Sequence, residues 1–166
     1  MNGLINPAGD SPALRTALGR FATGVTIITC VDPAGAPIGL TANSFNALSL
    51  DPPLVLWSLR SASPRVGAFV AARHFAVNVL AEDQVAISRR FASPLTDKFD
   101  ADLWHAGIGD LPLLRACCAI FECETVSYQI EGDHVLFIGR VLRAADSALA
   151  PLVFQAGHYR NLGEIV

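Results

Sequence analysis

The chain has 166 residues, enough for one domain with a full hydrophobic core and short for two. Apolar residues make up 52% and charged ones 16%, below the ~25% of an average soluble chain; either the core is large for the size or apolar surface is buried against a second copy, and the second reading is favoured. The formal charge of −3, with scattered basic residues, excludes the basic footprint of a nucleic-acid binder, and apolar runs such as Leu54-Val55-Leu56-Trp57 are strand-sized where a membrane span needs ~20 residues.

In chain order, residues 1–10 read as a loose arm and 11–166 as one domain. The arm lacks the basic start and long apolar run of a secretory signal, so the expected compartment is the cytoplasm. Ser11 before Pro12 is a helix-start signal; Leu14, Leu18 and Phe21, with Ala17 beside them, form one apolar helical face that Gly24 would close. From residue 25 the period changes, and the β-branched, apolar run 25–31 predicts a buried strand. Asp32-Pro33-Ala34-Gly35 is a turn and 37–42 its partner strand, so a tight hairpin feeds into Asn43-Ser44-Phe45. A break at 49–53 precedes a strand at 54–59. A short helix at 64–72 starts from Ser63; a strand follows at 75–80 and a helix at 84–91. Residues 93–113, rich in Asp, Gly and Pro, read as irregular. Long strands at 117–131 and 134–144 meet at Gly132-Asp133, and 151–154 is a short strand before the tail. Strands outnumber helices, most join through tight turns, and no βαβ alternation occurs. The prediction is a mainly β fold, an antiparallel barrel with a few peripheral helices, and not a Rossmann sheet.

The familiar catalytic motifs are missing: no G-x-G-x-x-G after a strand, no Walker loop, no G-x-S-x-G and no H-E-x-x-H. His74, His105, His134 and His158 show no ligand spacing, and Cys30, Cys117, Cys118 and Cys123 form no C-x-x-C pair. The cysteines read as small core residues in a reducing compartment. Two runs of small polar residues stand at strand ends instead. Thr41, Asn43 and Ser44 follow the hairpin; Ser58, Ser61 and Ser63, with Arg60 and Arg65 interleaved, follow the next long strand. Either run alone is an ordinary set of turns and caps. Together, hydroxyls, loop N–H groups, an arginine fork and a helix start suit a phosphate.

Six segments, in order, resemble the flavin reductase family with the FMN-binding split-barrel fold. These are the small reductase components of two-component flavin-dependent monooxygenases. The segments are Phe21-Ala22-Thr23-Gly24-Val25-Thr26, Gly39-Leu40-Thr41-Ala42-Asn43-Ser44-Phe45, Ser49-Leu50-Asp51-Pro52-Pro53-Leu54-Val55, Phe75-Ala76-Val77-Asn78-Val79-Leu80, Gly132-Asp133-His134 and Gly157-His158-Tyr159. The resemblance runs from about Leu14 to the C-terminus.

It implies an antiparallel split β-barrel and an NAD(P)H:flavin oxidoreductase that passes hydride from NADH or NADPH to FMN or FAD. Thr41, Ala42, Asn43 and Ser44 would line the isoalloxazine ring. Ser58, Leu59, Arg60, Ser61 and Ser63 would hold the ribityl chain and phosphate. Phe91, Lys98 and Phe99 would reach the flavin from the far side. His134 would face the nicotinamide, as the one residue placed at the reacting centre, and Tyr159 would close the pocket. The family implies a homodimer with flavin near its interface and a separate oxygenase served by diffusible reduced flavin. No metal, nucleic acid or membrane enters this reading. Two rival readings share the barrel: a non-enzymatic flavin-binding electron carrier, and a pyridoxamine-phosphate oxidase-like enzyme, which calls for a more basic phosphate site than 58–63 offers.

Overall fold

The run Thr26-Ile27-Ile28-Thr29 lies buried in strand β2 (Thr26–Val31), where branched side chains suit a pleated, covered surface. The computed structural model describes residues 11–164, so the arm expected at 1–10 lies outside the described residues. Strand β3 (Pro37–Ala42) pairs back on β2 with Val31 opposite Pro37 and Thr26 opposite Ala42. The Asp32 carboxylate closes the turn by accepting the N–H groups of Ala34 and Ala36 at 2.9 and 2.8 Å. Gly35 supplies the left-handed φ of 83° the turn needs.

Helix α1 (Ser11–Leu18) is shorter than its apolar pattern suggested. Gly19 donates the last helical bond, to the Arg15 carbonyl, and Phe21 lies beyond the helix. Leu14, Leu18 and Phe21 are 37%, 66% and 75% exposed, so the other described residues leave the face they form largely uncovered. Gly24 falls in a two-residue strand, β1 (Thr23–Gly24), rather than at the helix end. The break expected at 49–53 is narrower: Ser49 and Leu50 end a strand, β4 (Asn46–Leu50), and Pro53 opens the next, β5 (Pro53–Arg60). Strand β4 is short and almost wholly exposed, so no apolar period marks it in the sequence.

Helix α2 (Val66–Ala71), strand β6 (His74–Val79) and helix α3 (Val85–Ala92) follow close to the positions the sequence indicates. The segment expected to be irregular holds a small antiparallel pair, β7 (Trp104–Ala106) and β8 (Pro112–Leu114). Asn78, fully buried at the centre of β6, fixes β8 to the sheet: its Oδ1 accepts the Leu114 N–H at 2.8 Å and its Nδ2 donates to the Ile27 carbonyl at 3.0 Å. A buried amide of this kind is stable only when its partners are in place. The long hairpin of β9 (Ala119–Glu131) and β10 (His134–Asp146) turns at Gly132, whose φ of 61° glycine tolerates without strain. Strands β11 (Val153–Gln155) and β12 (His158–Arg160) complete the chain, the last of them unexpected from the sequence.

The main sheet has seven strands in the order β3-β2-β6-β9-β10-β5-β4, every neighbouring pair antiparallel. A second sheet joins β1, β11 and β12. The fold is therefore mainly β with few helices, as the sequence predicts, and its strand pairing fits a split barrel. Adjacent residues of β2 show how both faces are used. Ile28 belongs to one cluster, where Trp57 stacks on Phe137 with centroids 4.5 Å apart and Phe69 and Phe75 meet it edge-on. Ile27 belongs to the other, with Phe91 of α3, Leu114 and Leu152. Successive strand residues point to opposite faces, so one strand serves two cores.

Candidate functional site

The last residues of β3 approach the last residues of β5, and a single hydroxyl joins them. Asn46 of β4 pairs with Leu56 of β5. Two residues further along the same register, Ser44 faces Ser58, but the chain has left the strand there. The Ser44 hydroxyl takes the place of the missing rung: Oγ accepts the Ser58 N–H and donates to the Ser58 carbonyl, both at 2.9 Å. Between these strand ends opens a cleft of about 520 Å³, within the size range of small-molecule sites. One wall is Leu40 to Ser44; the other is Ser58 to Arg60 with Ala62 and Ser63; His134 stands at the start of β10. Strand β3 ends the order of the main sheet, so among the described residues its outer edge has no strand neighbour, and its last residues, Leu40 to Ala42, line the cleft.

His134 pairs across the sheet with Arg60 of β5. The Asp133 carboxylate lies 2.8 Å from Nδ1 of His134, which leaves Nε2 as the ring's uncommitted nitrogen. The hydrogen bond and charge of that imidazole hold the Asp133 carboxyl below the usual carboxylate range. The Ser61 N–H donates to the Asp133 carbonyl at 2.9 Å, fastening the turn after β5 to the β9–β10 turn. Two sequence-distant loops thus share one rim. Ser63 Oγ accepts the Arg65 N–H at 3.3 Å at the entry to α2.

Nine of the sequence-selected residues line the cleft: Thr41, Ala42, Asn43 and Ser44, then Ser58, Leu59, Arg60 and Ser63, then His134. Ser61 sits in the same loop, turned to Asp133. The other four stand elsewhere. Phe91 is buried in the core beneath β3 and meets Phe99 edge-on at 5.1 Å. Lys98 is buried, its ammonium donating to the carbonyls of Phe91 and Ser93 at 2.6 and 2.7 Å. Burial, assisted by the charge of Arg65, lowers its pKa to about 8. Tyr159 is half-buried, its hydroxyl 2.9 Å from Oγ of Ser88. Sequence reasoning missed Leu40 and Ala62, which line the cleft; contiguity with Thr41 and with Ser61 to Ser63 was the available signal. It also missed Ser88, a fully buried serine on the inward face of α3.

No group of three or more His, Cys, Asp or Glu side chains among the described residues is placed to hold a metal. The cleft is open and polar-lined, and it lies where the ends of β3 and β5 face each other. The chain belongs to the family described as flavin reductase like domain, whose model matches residues 18–163. It is 44% identical over 154 residues to "FMN reductase (NADH) SmoA" of Agrobacterium fabrum, covering 92% of this chain and 87% of that protein. It is 45% identical over 150 residues to a "Probable flavin reductase" of Rhizobium meliloti, covering 90% of this chain and 48% of the relative, so the chain spans about half the length of that protein. Among solved structures, the Streptomyces globisporus NADH:FAD oxidoreductase SgcE6, in complex with NAD and FAD fragments, superposes with a TM-score of 0.90 at 35% identity over 98% of each chain.

Proposed function

We propose that the protein is an NADH-dependent flavin reductase whose cleft takes FMN or FAD and which serves a separate oxygenase with reduced flavin. The observation that carries this reading is the pair of polar strand ends facing each other across the cleft, with His134 at the rim. The residues fit the group. A flat ring can lie along Thr41 to Ser44 and meet backbone N–H and C=O groups at the sheet edge. Arg60, Ser61 and Ser63 offer a guanidinium, hydroxyls and loop N–H groups for the phosphate end. The similarity to SmoA and SgcE6, both named for NADH, favours NADH over NADPH as the donor.

Bound there, flavin would supply the hydride acceptor, a chemistry that belongs to the cofactors. The chain's task is placement. His134, its Nδ1 tied to Asp133, would have its other nitrogen available to a nicotinamide held at the rim. With flavin bound, N–H groups of the 41–44 segment would be the donors available to negative charge on the ring's polar edge. No general base is called for. Phe91, Lys98, Phe99 and Tyr159 support the cleft from behind: Lys98 fastens the segment after α3, and Phe91 and Phe99 underlie Gly39.

The same reading includes a homodimer in the cytoplasm, formed from one domain that starts near residue 11. The uncovered face of Leu14, Leu18 and Phe21, and the exposed Val126, Tyr128 and Ile130 on the outer half of β9, supply apolar surface for a second copy. No described helix is long and apolar enough to cross a membrane. Anaerobic mixing with NADH and FMN or FAD tests the proposal: the visible flavin absorbance bleaches catalytically. Binding of flavin without consumption of NADH or NADPH would identify a carrier instead, and a monomer by light scattering would remove the dimer.

A further inference from the structure

Helix α3 docks on β3 through two matched pairs. Gly39 and Thr41 are two apart on a strand and share a face; Ser88 and Phe91 are three apart on a helix and share a face. A Cβ at Gly39 would stand 2.5 Å from Cε1 of Phe91, so the helix lies directly on the strand there. Thr41 Oγ1 donates to the Ser88 carbonyl at 2.7 Å. The Thr41 hydroxyl is therefore committed to the helix, and the cleft receives the rest of that residue.

Ser88 has a second attachment. Its hydroxyl is fully buried and lies 2.9 Å from the Tyr159 hydroxyl, 71 residues away in sequence. The Tyr159 ring is held in turn by Phe154, edge-on at 5.6 Å, and by the Arg89 guanidinium over its face at 5.7 Å. Tyr159 touches α3 through Ser88 and Arg89, and neither it nor Ser88 is among the cleft-lining residues. One serine thus couples the β11–β12 hairpin to a cleft wall.

We infer that Ser88 and Tyr159 are positioning residues that set where the Thr41 segment stands in the cleft, and so govern flavin affinity without touching flavin. This rests on the reading of the cleft as the flavin site. The hairpin fixes the helix through the two hydroxyls; the helix fixes Thr41 through its carbonyl. Losing the first link lets α3 shift on β3 and misplaces the N–H groups of the 41–44 segment. A nicotinamide held at the His134 rim is little affected.

The test is an FMN titration by fluorescence, paired with thermal melts and NADH kinetics, on wild type, Tyr159→Phe, Ser88→Ala and the double variant. Tyr159→Phe keeps the ring and leaves the Ser88 hydroxyl buried without a partner. It should weaken FMN binding about five- to tenfold, the scale of one buried hydrogen bond, and change the NADH KM less than about twofold. The double variant replaces both hydroxyls with apolar groups, which relieves the unpaired hydroxyl and restores much of the melting temperature. Its FMN affinity stays as weak as that of the single variant, because the tether is still missing. A purely structural pair gives the opposite result: FMN affinity that recovers with the melt, or that never changed, overturns the inference. Should either single variant fail to fold, Thr41→Val cuts the same chain from the cleft side and should weaken FMN to a similar degree; unchanged FMN affinity there also overturns it. Wild type that binds no FMN defeats the reading of the cleft itself, an outcome distinct from wild type and variants that bind equally.

Discussion

The Ser44 hydroxyl exchanges both hydrogen bonds with the backbone of Ser58, at the register position where a strand residue would otherwise stand. It lets the chain leave the sheet, forming the cleft, while the β5 groups that β4 no longer reaches stay paired. Ser44→Ala should therefore act twice. It leaves a part-buried N–H and C=O unsatisfied, costing about 1–3 kcal/mol of stability, and it loosens both cleft walls. Denaturant midpoints and FMN titrations measure the two effects; a variant as stable and as tight as wild type contradicts this role for Ser44.

His134 stands at the cleft rim with Asp133 on its Nδ1. Under the proposed function, His134→Ala should raise the KM for NADH well above any change in the KM for flavin. Steady-state kinetics with each substrate varied in turn decide it. Equal changes in both constants would argue for a role in the fold or in flavin binding instead.

A Cβ at Gly39 would meet Phe91 at 2.5 Å and Phe99 at 2.9 Å. Rigid rings cannot fold away as a flexible chain end can. Gly39→Ala is expected to destabilise the protein by about 1–3 kcal/mol, the range for overpacking a filled site. Pairing it with Phe91→Leu should recover part of the loss if the collision is the cause, which thermal melts of the three proteins would reveal.

All four cysteines are buried and free. Burial pushes the thiols of Cys30, Cys117 and Cys123 up to about 12. The thiolate is the reactive form, so near pH 8 a disulfide reagent should label these three only after denaturant is added. The sign of the linked stability follows. The folded state keeps these protons to a higher pH than the unfolded chain, whose thiols titrate near ~8.5. Their contribution is complete below that value and is lost as pH rises toward about 12. Replacing Cys123 with Ala should flatten the fall in stability above pH ~9 relative to wild type; an unchanged alkaline profile counts against the assignment.

The strand pattern was legible where burial was one-sided or complete. Thr26 to Val31 and Phe75 to Val79 announce themselves by apolar, β-branched runs, and the Asp32–Gly35 turn by its chemistry. Strand β4 was hidden because Asn46 to Leu50 face solvent and no core imposes a period on them. Strands β7 and β8 were hidden because long-range bonds, from Asn78 and Thr29, hold a segment whose own composition favours turns. The cleft walls were legible as polar strand ends, since hydroxyls at the ends of apolar runs are conspicuous. Ser88 was not: a serine inside a helix looks like any other until Thr41 and Tyr159, both distant in sequence, are seen beside it.

Four strands, β2, β6, β9 and β10, separate β3 from β5 in the sheet, yet these two strands form the facing walls of the cleft. The aperture is then the accumulated coil of the whole sheet, as the gap in a spring washer reflects every part of its circumference. Each interstrand rotation contributes to it. Gly139 of β10, where a Cβ would collide with the Phe75 ring, lets that strand and ring approach closely at a place outside the cleft lining. Substitutions in the middle of the sheet, invisible to a search for binding residues, thereby become adjustments of how wide the cleft stands.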